Sequence, residues 1–187
     1  MKIISKHLNG LLVLEPAAFA DTRGYFMESY KASVFSELGL PTEFLQDNHS
    51  VSKKGVIRGM HFQWDKPMGK LIRVTNGRAF FAEADIRPGS PTLGKWFTIE
   101  LSADNRLMMW VPPGFANGFL ALADETVVQY KCTAEWNPSG EGAILWNDND
   151  LAIEWGVAEP IISEKDRCGL TLARWLEMAE ARNFSYR

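Results

Sequence analysis

Gly55-Val-Ile-Arg-Gly-Met-His-Phe-Gln63 predicts a β-strand that follows a glycine turn and carries His61 between two hydrophobic residues. Arg58 lies three residues before this histidine. A neutral imidazole is the usual protein group for moving protons near pH 7. Within this stretch His61 has two interpretations, a histidine hydrogen-bonded in the core or a catalytic base, and other segments of the chain must separate them.

On both sides of this stretch, short β-rich runs alternate with turns. Turn residues recur at fairly even intervals, and Asn76-Gly77 predicts a two-residue hairpin. The polar run 46–50 is interpreted as a strand end or loop. This spacing predicts an all-β sandwich or barrel. The β-rich runs are 25–30, 56–64, 70–75, 78–86, 95–101, 106–111, 118–123 and 126–133.

Two segments predict short helices. The first covers residues 31–38 and is followed by Gly39, a residue type that commonly ends helices. The second covers about residues 169–182 near the C-terminus. No repeat or linker divides the chain, so one domain over residues 1–187 is expected. The second helix is predicted from one apolar stripe, formed by Leu172, Trp175, Leu176 and Ala179.

The composition is that of an ordinary globular domain, with 46% hydrophobic residues, 23% charged residues and a net charge of -3. Because no block of lysine and arginine stands out, nucleic acid is not an expected partner. No apolar run approaches the length of a membrane span, so a membrane is not expected either. Cys132 and Cys168 are far apart and are interpreted as thiols in a reducing compartment, which makes the cytoplasm the expected location.

Three further segments hold polar residues that are costly to bury. Lys70 begins a β-rich run, Tyr130 lies inside an apolar one, and residues 163–167 carry charges of both signs just before the last helix. Each has a structural explanation: a solvated strand-end charge, a core aromatic, and a helix cap formed by Ser163 or Asp166.

Seven motifs occur in order between about Asp21 and Arg167, and together they resemble one protein family. That family is the dTDP-4-dehydrorhamnose 3,5-epimerases and related nucleotide-sugar epimerases. So many ordered matches are specific for the family and less specific for the exact substrate. The motifs are Asp21-Thr-Arg-Gly-Tyr-Phe-Met-Glu28, Gln46-Asp-Asn-His-Ser50, Arg58-Gly-Met-His-Phe-Gln63, Gly69-Lys-Leu-Ile-Arg73, Asp85-Ile-Arg-Pro-Gly-Ser-Pro-Thr-Leu-Gly94, Pro113-Gly-Phe-Ala-Asn-Gly-Phe119 and Ile162-Ser-Glu-Lys-Asp166.

The resemblance implies an all-β fold, a cupin-type double-stranded β-helix (jelly roll) with short helices. It implies a homodimer that exchanges N-terminal strands, a nucleotide-diphospho-sugar substrate and no cofactor. The implied activity is inversion of C3 and C5 of dTDP-4-dehydro-6-deoxy-D-glucose, which gives dTDP-4-dehydro-L-rhamnose. An isomerase of this kind would serve dTDP-rhamnose and lipopolysaccharide O-antigen biosynthesis.

The resemblance also implies residue roles. His61 would be the general base oriented by Asp166, Tyr130 the general acid on the opposite face of the sugar, and Lys70 the partner of the keto oxygen. Trp136 has two interpretations, stacking on the substrate or packing in the core or an interface. The residues expected to bind substrate are Arg23, Phe26, Glu28, Gln46, Asn48, Arg58, Asn117, Trp136, Glu141 and Lys165.

Elementary chemistry supports these roles. A 4-keto sugar has acidic C–H bonds at C3 and C5, because the carbonyl accepts the electrons as an enolate, so no redox or metal cofactor is required. Inversion needs a base on one face and a proton donor on the other. Histidine titrates near neutral pH, a phenol is a neutral donor there, and a lysine can stabilise the enolate. Arginines such as Arg23 and Arg58 can grip a diphosphate.

Two positions depart from the family pattern. Typical members carry histidine where this chain has Asn117, and aspartate where it has Phe81. These departures indicate that one polar contact pair has gone and that the positioning of the sugar has changed while proton transfer survives. The milder alternative is that Asn117 replaces one hydrogen bond only. With a single histidine in the strand around His61, no metal site is expected.

Other functions remain open at this point. They are a single-site 3- or 5-epimerase acting on a CDP- or GDP-linked 4-keto sugar or heptose, a keto-isomerase on the same fold, and a non-catalytic cupin that binds sugar nucleotides. Solvent-deuterium incorporation and product analysis distinguish them.

Overall fold

The structure is a computed structural model, and it describes residues 1–186. Within them the β-strands are β1 Lys2–His7, β2 Leu11–Glu15, β3 Ala18–Asp21, β4 Gly24–Met27, β5 Gln46–Ser52, β6 Ile57–Gln63, β7 Lys70–Asn76, β8 Arg78–Asp85, β9 Trp96–Ser102, β10 Met108–Val111, β11 Phe115–Ala121, β12 Thr126–Cys132 and β13 Glu141–Ala143. The α-helices are α1 Ala32–Glu37, α2 Glu164–Arg167 and α3 Leu172–Glu177, and a 3₁₀-helix follows at Ala179–Phe184.

Two antiparallel sheets face each other. One has six strands in the order β1-β2-β10-β7-β12-β5, and the other has five in the order β13-β6-β11-β8-β9. The inner faces of both sheets supply one apolar cluster, to which Ile72 and Val128 contribute from the six-stranded sheet and Phe81 and Phe119 from the other. The predicted all-β fold with short helices is therefore confirmed.

The outer face of the five-stranded sheet is covered by the C-terminal segment. Phe62 on β6 packs against Trp175 of α3, with ring centroids 4.5 Å apart. Successive strand residues point to opposite faces, so Met60 and Phe62 lie in this outer cluster while His61 points between the sheets. Because side chains alternate between the two faces of a strand, His61 points into the space between the sheets.

The predicted C-terminal helix over residues 169–182 is wrong in its length. The α-helix ends at Glu177, Met178 has an extended ψ of 144°, and a 3₁₀-helix continues the chain. Ala179, predicted to be apolar packing, is exposed, whereas Ala181 and Phe184 are buried. These two are three residues apart, which matches the 3₁₀ repeat and lets Phe184 join the outer cluster.

Two local predictions are also wrong. Asn76-Gly77 does not close a hairpin, because β7 belongs to the six-stranded sheet and β8 to the five-stranded one. Gly77, with a φ of +69°, instead turns the chain from one sheet into the other. The run 46–50 lies within β5, which pairs with β12 over its whole length. The helix predicted at 31–38 is confirmed as α1.

Candidate active site

His61 and Asp166 form a hydrogen-bonded pair at the five-stranded sheet. His61 Nε2 lies 2.6 Å from Asp166 Oδ1, and the carboxyl group is buried while the imidazole is 28% exposed. Burial would raise the pKa of Asp166, but the hydrogen bond and charge of His61 outweigh it, and the pKa is lowered. Asp166 therefore stays ionised at neutral pH, and it fixes the tautomer of a histidine that reaches the cavity.

Local structure explains how Asp166 reaches the histidine. Ser163 caps the single turn of α2, since its hydroxyl accepts a hydrogen bond from the Asp166 backbone N–H at 3.2 Å. The other carboxylate oxygen faces the backbone N–H of Gly59 at 3.4 Å. Ser163 therefore caps α2 rather than the predicted last helix, because Thr171 caps α3; Asp166 itself is directed into the site.

Two glycines behind the histidine allow strands β6 and β11 to approach closely. A Cβ placed on Gly59, which has a φ of +139°, would lie 2.5 Å from the Cα of Gly118. No other residue fits at this distance, so the glycine of the Arg58–Gln63 motif is required by packing. This approach brings Asn117 into register beside His61.

Tyr130 faces the pair from the opposite sheet. It lies on β12 of the six-stranded sheet, and it lines the same cavity, of about 340 Å³, as His61 and Lys70. Burial raises the pKa of the Tyr130 phenol, so it is protonated at neutral pH. The cavity is therefore bounded by an imidazole on one sheet and a neutral phenol on the other.

Lys70 lies at the inner end of this cavity. Its Nζ is 5.8 Å from the centroid of the Tyr130 ring and 3.4 Å from Asn117 Oδ1, to which it donates. Burial lowers the pKa of Lys70, while the negative charge of Glu83 acts in the opposite direction. A second cavity of about 220 Å³ continues inward from here and is walled by Phe81 and other apolar side chains.

Asn117 has a carboxyl partner that the sequence analysis missed. Its Nδ2 donates to Glu83 Oε1 at 2.5 Å, and Glu83 is fully buried. The inference that a polar contact pair has gone is therefore wrong, because a carboxyl group two residues after Phe81 supplies the contact. The signal was present in the sequence, since a glutamate on the same strand face as a buried phenylalanine needs a buried partner.

At the mouth of the cavity, two side chains donate hydrogen bonds to one carboxylate. Lys165 Nζ donates to Glu141 Oε2 at 2.6 Å, and the Trp136 indole N–H donates to the same oxygen at 3.1 Å. Burial would raise the pKa of Glu141, but these two hydrogen bonds lower it. Trp136 is 57% exposed, so of its two interpretations packing in the core of this chain is wrong.

Gln46 and Asn48 form the β5 side of the same mouth. Gln46 Oε1 accepts from the Trp136 backbone N–H at 2.7 Å, and Gln46 Nε2 donates to Asn48 Oδ1 at 3.0 Å. Arg58 lines the inner cavity and donates to the Ser52 hydroxyl at 3.0 Å. Gln46 and Asn48 thus line the outer cavity and Arg58 the inner one, and both cavities share His61, Lys70 and Tyr130.

Three predicted residues lie elsewhere. Arg23, Phe26 and Glu28 belong to or follow the β3–β4 hairpin and do not line the cavity. The Arg23 guanidinium pairs with Asp21, and Phe26 is 70% exposed. This chain alone therefore does not bring the hairpin residues to the site.

No group of three or more His, Cys, Asp and Glu side chains in residues 1–186 is arranged to hold a metal ion. Within the same residues no helix is both long and apolar enough to span a membrane.

Comparison with known proteins assigns this arrangement to a family. The family model described as dTDP-4-dehydrorhamnose 3,5-epimerase matches residues 5–174. The epimerase of Methanothermobacter thermautotrophicus is 47% identical over 169 residues, which cover 89% of this chain and 91% of the relative. The chain belongs to the dTDP-4-dehydrorhamnose 3,5-epimerase family. Its members are isomerases, and their cupin-type fold is the one seen here.

Solved structures of related epimerases agree with this assignment. A 3,5-epimerase from Legionella pneumophila, in complex with dTDP-4-keto-L-rhamnose, has a TM-score of 0.91 at 39% identity and covers 100% of this chain and 98% of its own. A 3'-monoepimerase from Streptomyces bikiniensis, in complex with dTDP-quinovose, has a TM-score of 0.84 at 29% identity. The match covers 90% of this chain and 86% of the monoepimerase. Double and single epimerases of this family therefore share the fold.

Proposed function

We propose that the protein inverts C3 and C5 of dTDP-4-dehydro-6-deoxy-D-glucose to give dTDP-4-dehydro-L-rhamnose, with no cofactor. The observation that carries this proposal is the placement of His61 and Tyr130 on opposite sheets of one cavity, with Lys70 at its inner end. A sugar ring lying between the sheets would present one face to each group. Inversion requires this two-sided arrangement, because the proton leaves one face and returns to the other.

The first chemical step is removal of a proton next to the ketone. His61 takes the proton from carbon, the C–H electrons become the C=C bond of an enolate, and the negative charge moves to the keto oxygen. Asp166 stabilises the imidazolium that forms. The Lys70 ammonium stabilises the oxygen anion, the kind of electrostatic contribution that is often the largest in enolate chemistry.

The second step returns a proton to the opposite face. Tyr130 donates its phenolic proton to the carbon, the electrons of the enolate re-form the ketone, and a phenolate remains. The nearby Lys70 ammonium stabilises that phenolate. His61 then loses its proton to water and Tyr130 regains one, so the atoms and charges balance over the cycle. The same two groups serve C3 and C5 in turn.

The substrate-binding residues divide into two sets. Arg58, Gln46, Asn48, Trp136, Glu141 and Lys165 would contact the nucleotide diphosphate and sugar at the cavity. Asn117 would act at the inner end. We infer that Arg23, Phe26 and Glu28 act on the cavity of a partner subunit, since the β3–β4 hairpin exposes Phe19 and Phe26 at 66% and 70%. A homodimer that exchanges this N-terminal hairpin would bury both rings.

The remaining parts of the proposal concern the chain as a whole. Residues 1–187 would act as a single jelly-roll domain in the cytoplasm. The two cysteines support a reducing compartment, since both are free thiols and Cys132 is buried. The product would supply rhamnose for polysaccharides such as the O-antigen.

A deuterium experiment tests the activity. The pure protein is incubated in deuterated water with dTDP-, CDP- and GDP-linked 4-keto-6-deoxy sugars, and C3 and C5 are followed by NMR. The proposal expects label at both carbons of the dTDP-linked sugar, with inversion, because the proton supplied by Tyr130 comes from solvent. Binding without any label would contradict it and would favour a non-catalytic cupin.

A single-site epimerase is the second candidate. The observation that favours it is the replacement of the family's usual histidine by Asn117 beside Lys70, together with the 3'-monoepimerase among the structural relatives. Label and inversion at one carbon alone would establish this candidate in place of the first.

A further inference from the structure

A polar row crosses the five-stranded sheet on the face that lines the cavity. Asn117 on β11 is paired with His61 on one side and with Glu83 on the other. The usual aspartate position of the family is occupied here by Phe81, which is paired with Phe119. Directly opposed residues have Cβ atoms about 4.5–5.5 Å apart, against about 7–8 Å for diagonal neighbours. Moving the carboxyl group to position 83 thus places it where a short asparagine can reach it.

The hydrogen bonds of Asn117 have a defined direction. Its Nδ2 donates to Glu83 Oε1 at 2.5 Å, and its Oδ1 accepts from Lys70 Nζ at 3.4 Å. An ammonium group can only donate, and a carboxyl group without a proton on that oxygen can only accept. A side-chain amide has one end of each kind, so binding one end to Glu83 turns the other end toward Lys70.

We propose that Glu83 is a positioning residue for Lys70, because its Oε1 holds the Asn117 amide in the orientation that offers Oδ1 to the ammonium. This inference rests on the proposed function, in which Lys70 stabilises the enolate.

The environment of Glu83 is compatible with this role. Burial raises the pKa of Glu83 well above the usual range of a glutamate, although the hydrogen bond from Asn117 and the charge of Lys70 act in the opposite direction. Oε1 accepts from Asn117 whether or not Oε2 carries a proton, so the orientation of the amide rests on the geometry. The other titratable groups that face Lys70 are His61 and Arg58 on β6, Tyr130 and Cys132 on β12, and Glu141 on β13.

Glu83 does not serve the stability of the fold. The residue is fully buried, and within residues 1–186 its Oε2 has no hydrogen-bond partner. A buried oxygen of this kind is destabilising compared with an apolar side chain of the same size. The hydrogen bond that the described chain gives to this side chain comes from Asn117, so Asn117 is the group that Glu83 can orient.

Two substitutions at this position separate positioning from packing. Glu83→Met keeps the volume of the side chain but removes the oxygen that accepts from Asn117. Glu83→Gln keeps both the volume and an accepting oxygen. We expect kcat of Glu83→Met to fall about 10- to 100-fold, as for other residues that orient a functional group, with KM changed less than about twofold. Glu83→Gln should stay within about threefold of the wild-type kcat, because its carbonyl oxygen still accepts from Asn117.

Stability and amide exchange provide readouts that do not depend on activity. Thermal unfolding of Glu83→Met should occur at or above the wild-type temperature. The variant would then lose activity without losing stability. The side-chain amide protons of Asn117, followed by NMR, should exchange slowly in the wild type and in Glu83→Gln, and rapidly in Glu83→Met. Glu100→Gln on β9, where the side chain is exposed, is the matched control and should match the wild type throughout.

Several results would overturn the inference. A wild-type kcat in Glu83→Met would do so, and so would an equal loss in Glu83→Gln and Glu83→Met. Unchanged amide exchange in Glu83→Met would overturn it even if the wild-type protein inverted no sugar at all. In that last case the missing deuterium label would count against the proposed function, and the amide measurement would judge the role of Glu83 separately.

Discussion

Asp166 and Glu83 are both buried carboxyl groups beside the same cavity, yet their surroundings shift their pKa values in opposite directions. Asp166 accepts from the imidazole of His61 and faces a backbone N–H, so its ionised form is stabilised. Glu83 accepts one hydrogen bond, from the neutral amide of Asn117, and its second oxygen has no partner in the described chain.

The difference shows how one cavity can hold two kinds of charge. A base that becomes positive during the reaction needs an ionised carboxylate beside it, which Asp166 provides. At Lys70 the buried carboxyl group makes no direct hydrogen bond to the cation. The neutral amide of Asn117 lies between them, since it accepts from Lys70 Nζ and donates to Glu83 Oε1.

The largest effect is expected at the base. His61→Asn removes the proposed base, and kcat should fall about 10⁴-fold, the upper end of the range for acid–base groups. Deuterium incorporation at C3 and C5 should disappear, while dTDP binding stays within about twofold because the nucleotide contacts lie elsewhere. Full exchange in this variant would remove His61 from the mechanism.

A smaller loss is expected at its carboxylate. Asp166→Asn leaves a hydrogen-bonding group of the same shape but no charge to stabilise the imidazolium, so kcat should fall about 100-fold or more. The kcat of Glu83→Gln is measured for comparison and should be less than about threefold below the wild-type value. Equal losses in the two variants would contradict the distinction between the two carboxyl groups.

The smallest effect is on stability, and it has opposite signs at the two sites. The pKa of Asp166 is lowered in the folded state, so its contribution is present above pH 3.8 and is lost as the pH falls through the folded pKa. The pKa of Glu83 is raised, so stability is lost as the pH rises from 4.5 through the folded pKa. Relative to the wild type, Glu83→Gln should therefore gain stability as the pH rises above 4.5, whereas Asp166→Asn should lose stability as the pH rises to 3.8 and show no further change above it.

Calorimetry at several pH values measures both trends. The expected differences in unfolding temperature are about 2–4 °C, which corresponds to roughly 1 kcal/mol for a chain of this size. Parallel trends in the two variants would show that the two carboxyl groups titrate alike.

Much of this molecule could be predicted from its sequence because the signals are local. The alternation around His61 predicted the strand, and the family resemblance implied Tyr130, Lys70 and Asp166 as the partners of this histidine. The structure brings His61, Tyr130 and Lys70 to one cavity and places Asp166 behind the imidazole. Lys70 and Asp166 could be found in this way because each lies in a short motif on one strand or one helical turn.

The missing parts depend on pairings between distant strands. The partner of Glu83 could be identified only once β8 was known to lie beside Asn117 on β11. Asn76-Gly77 has the composition of a hairpin turn, but tertiary packing places its two strands in different sheets. The break at Met178 likewise follows from the burial of Ala181 and Phe184, which a regular stripe does not indicate.

Tyr130→Phe tests the opposed arrangement of base and acid most directly. The variant is incubated with the dTDP-linked 4-keto-6-deoxy sugar in deuterated water, and both label and configuration at C3 are followed by NMR. The account predicts that His61 still exchanges the proton, so that deuterium enters with retained configuration while inversion slows about 100-fold or more. Inverted product formed at the wild-type rate would contradict it.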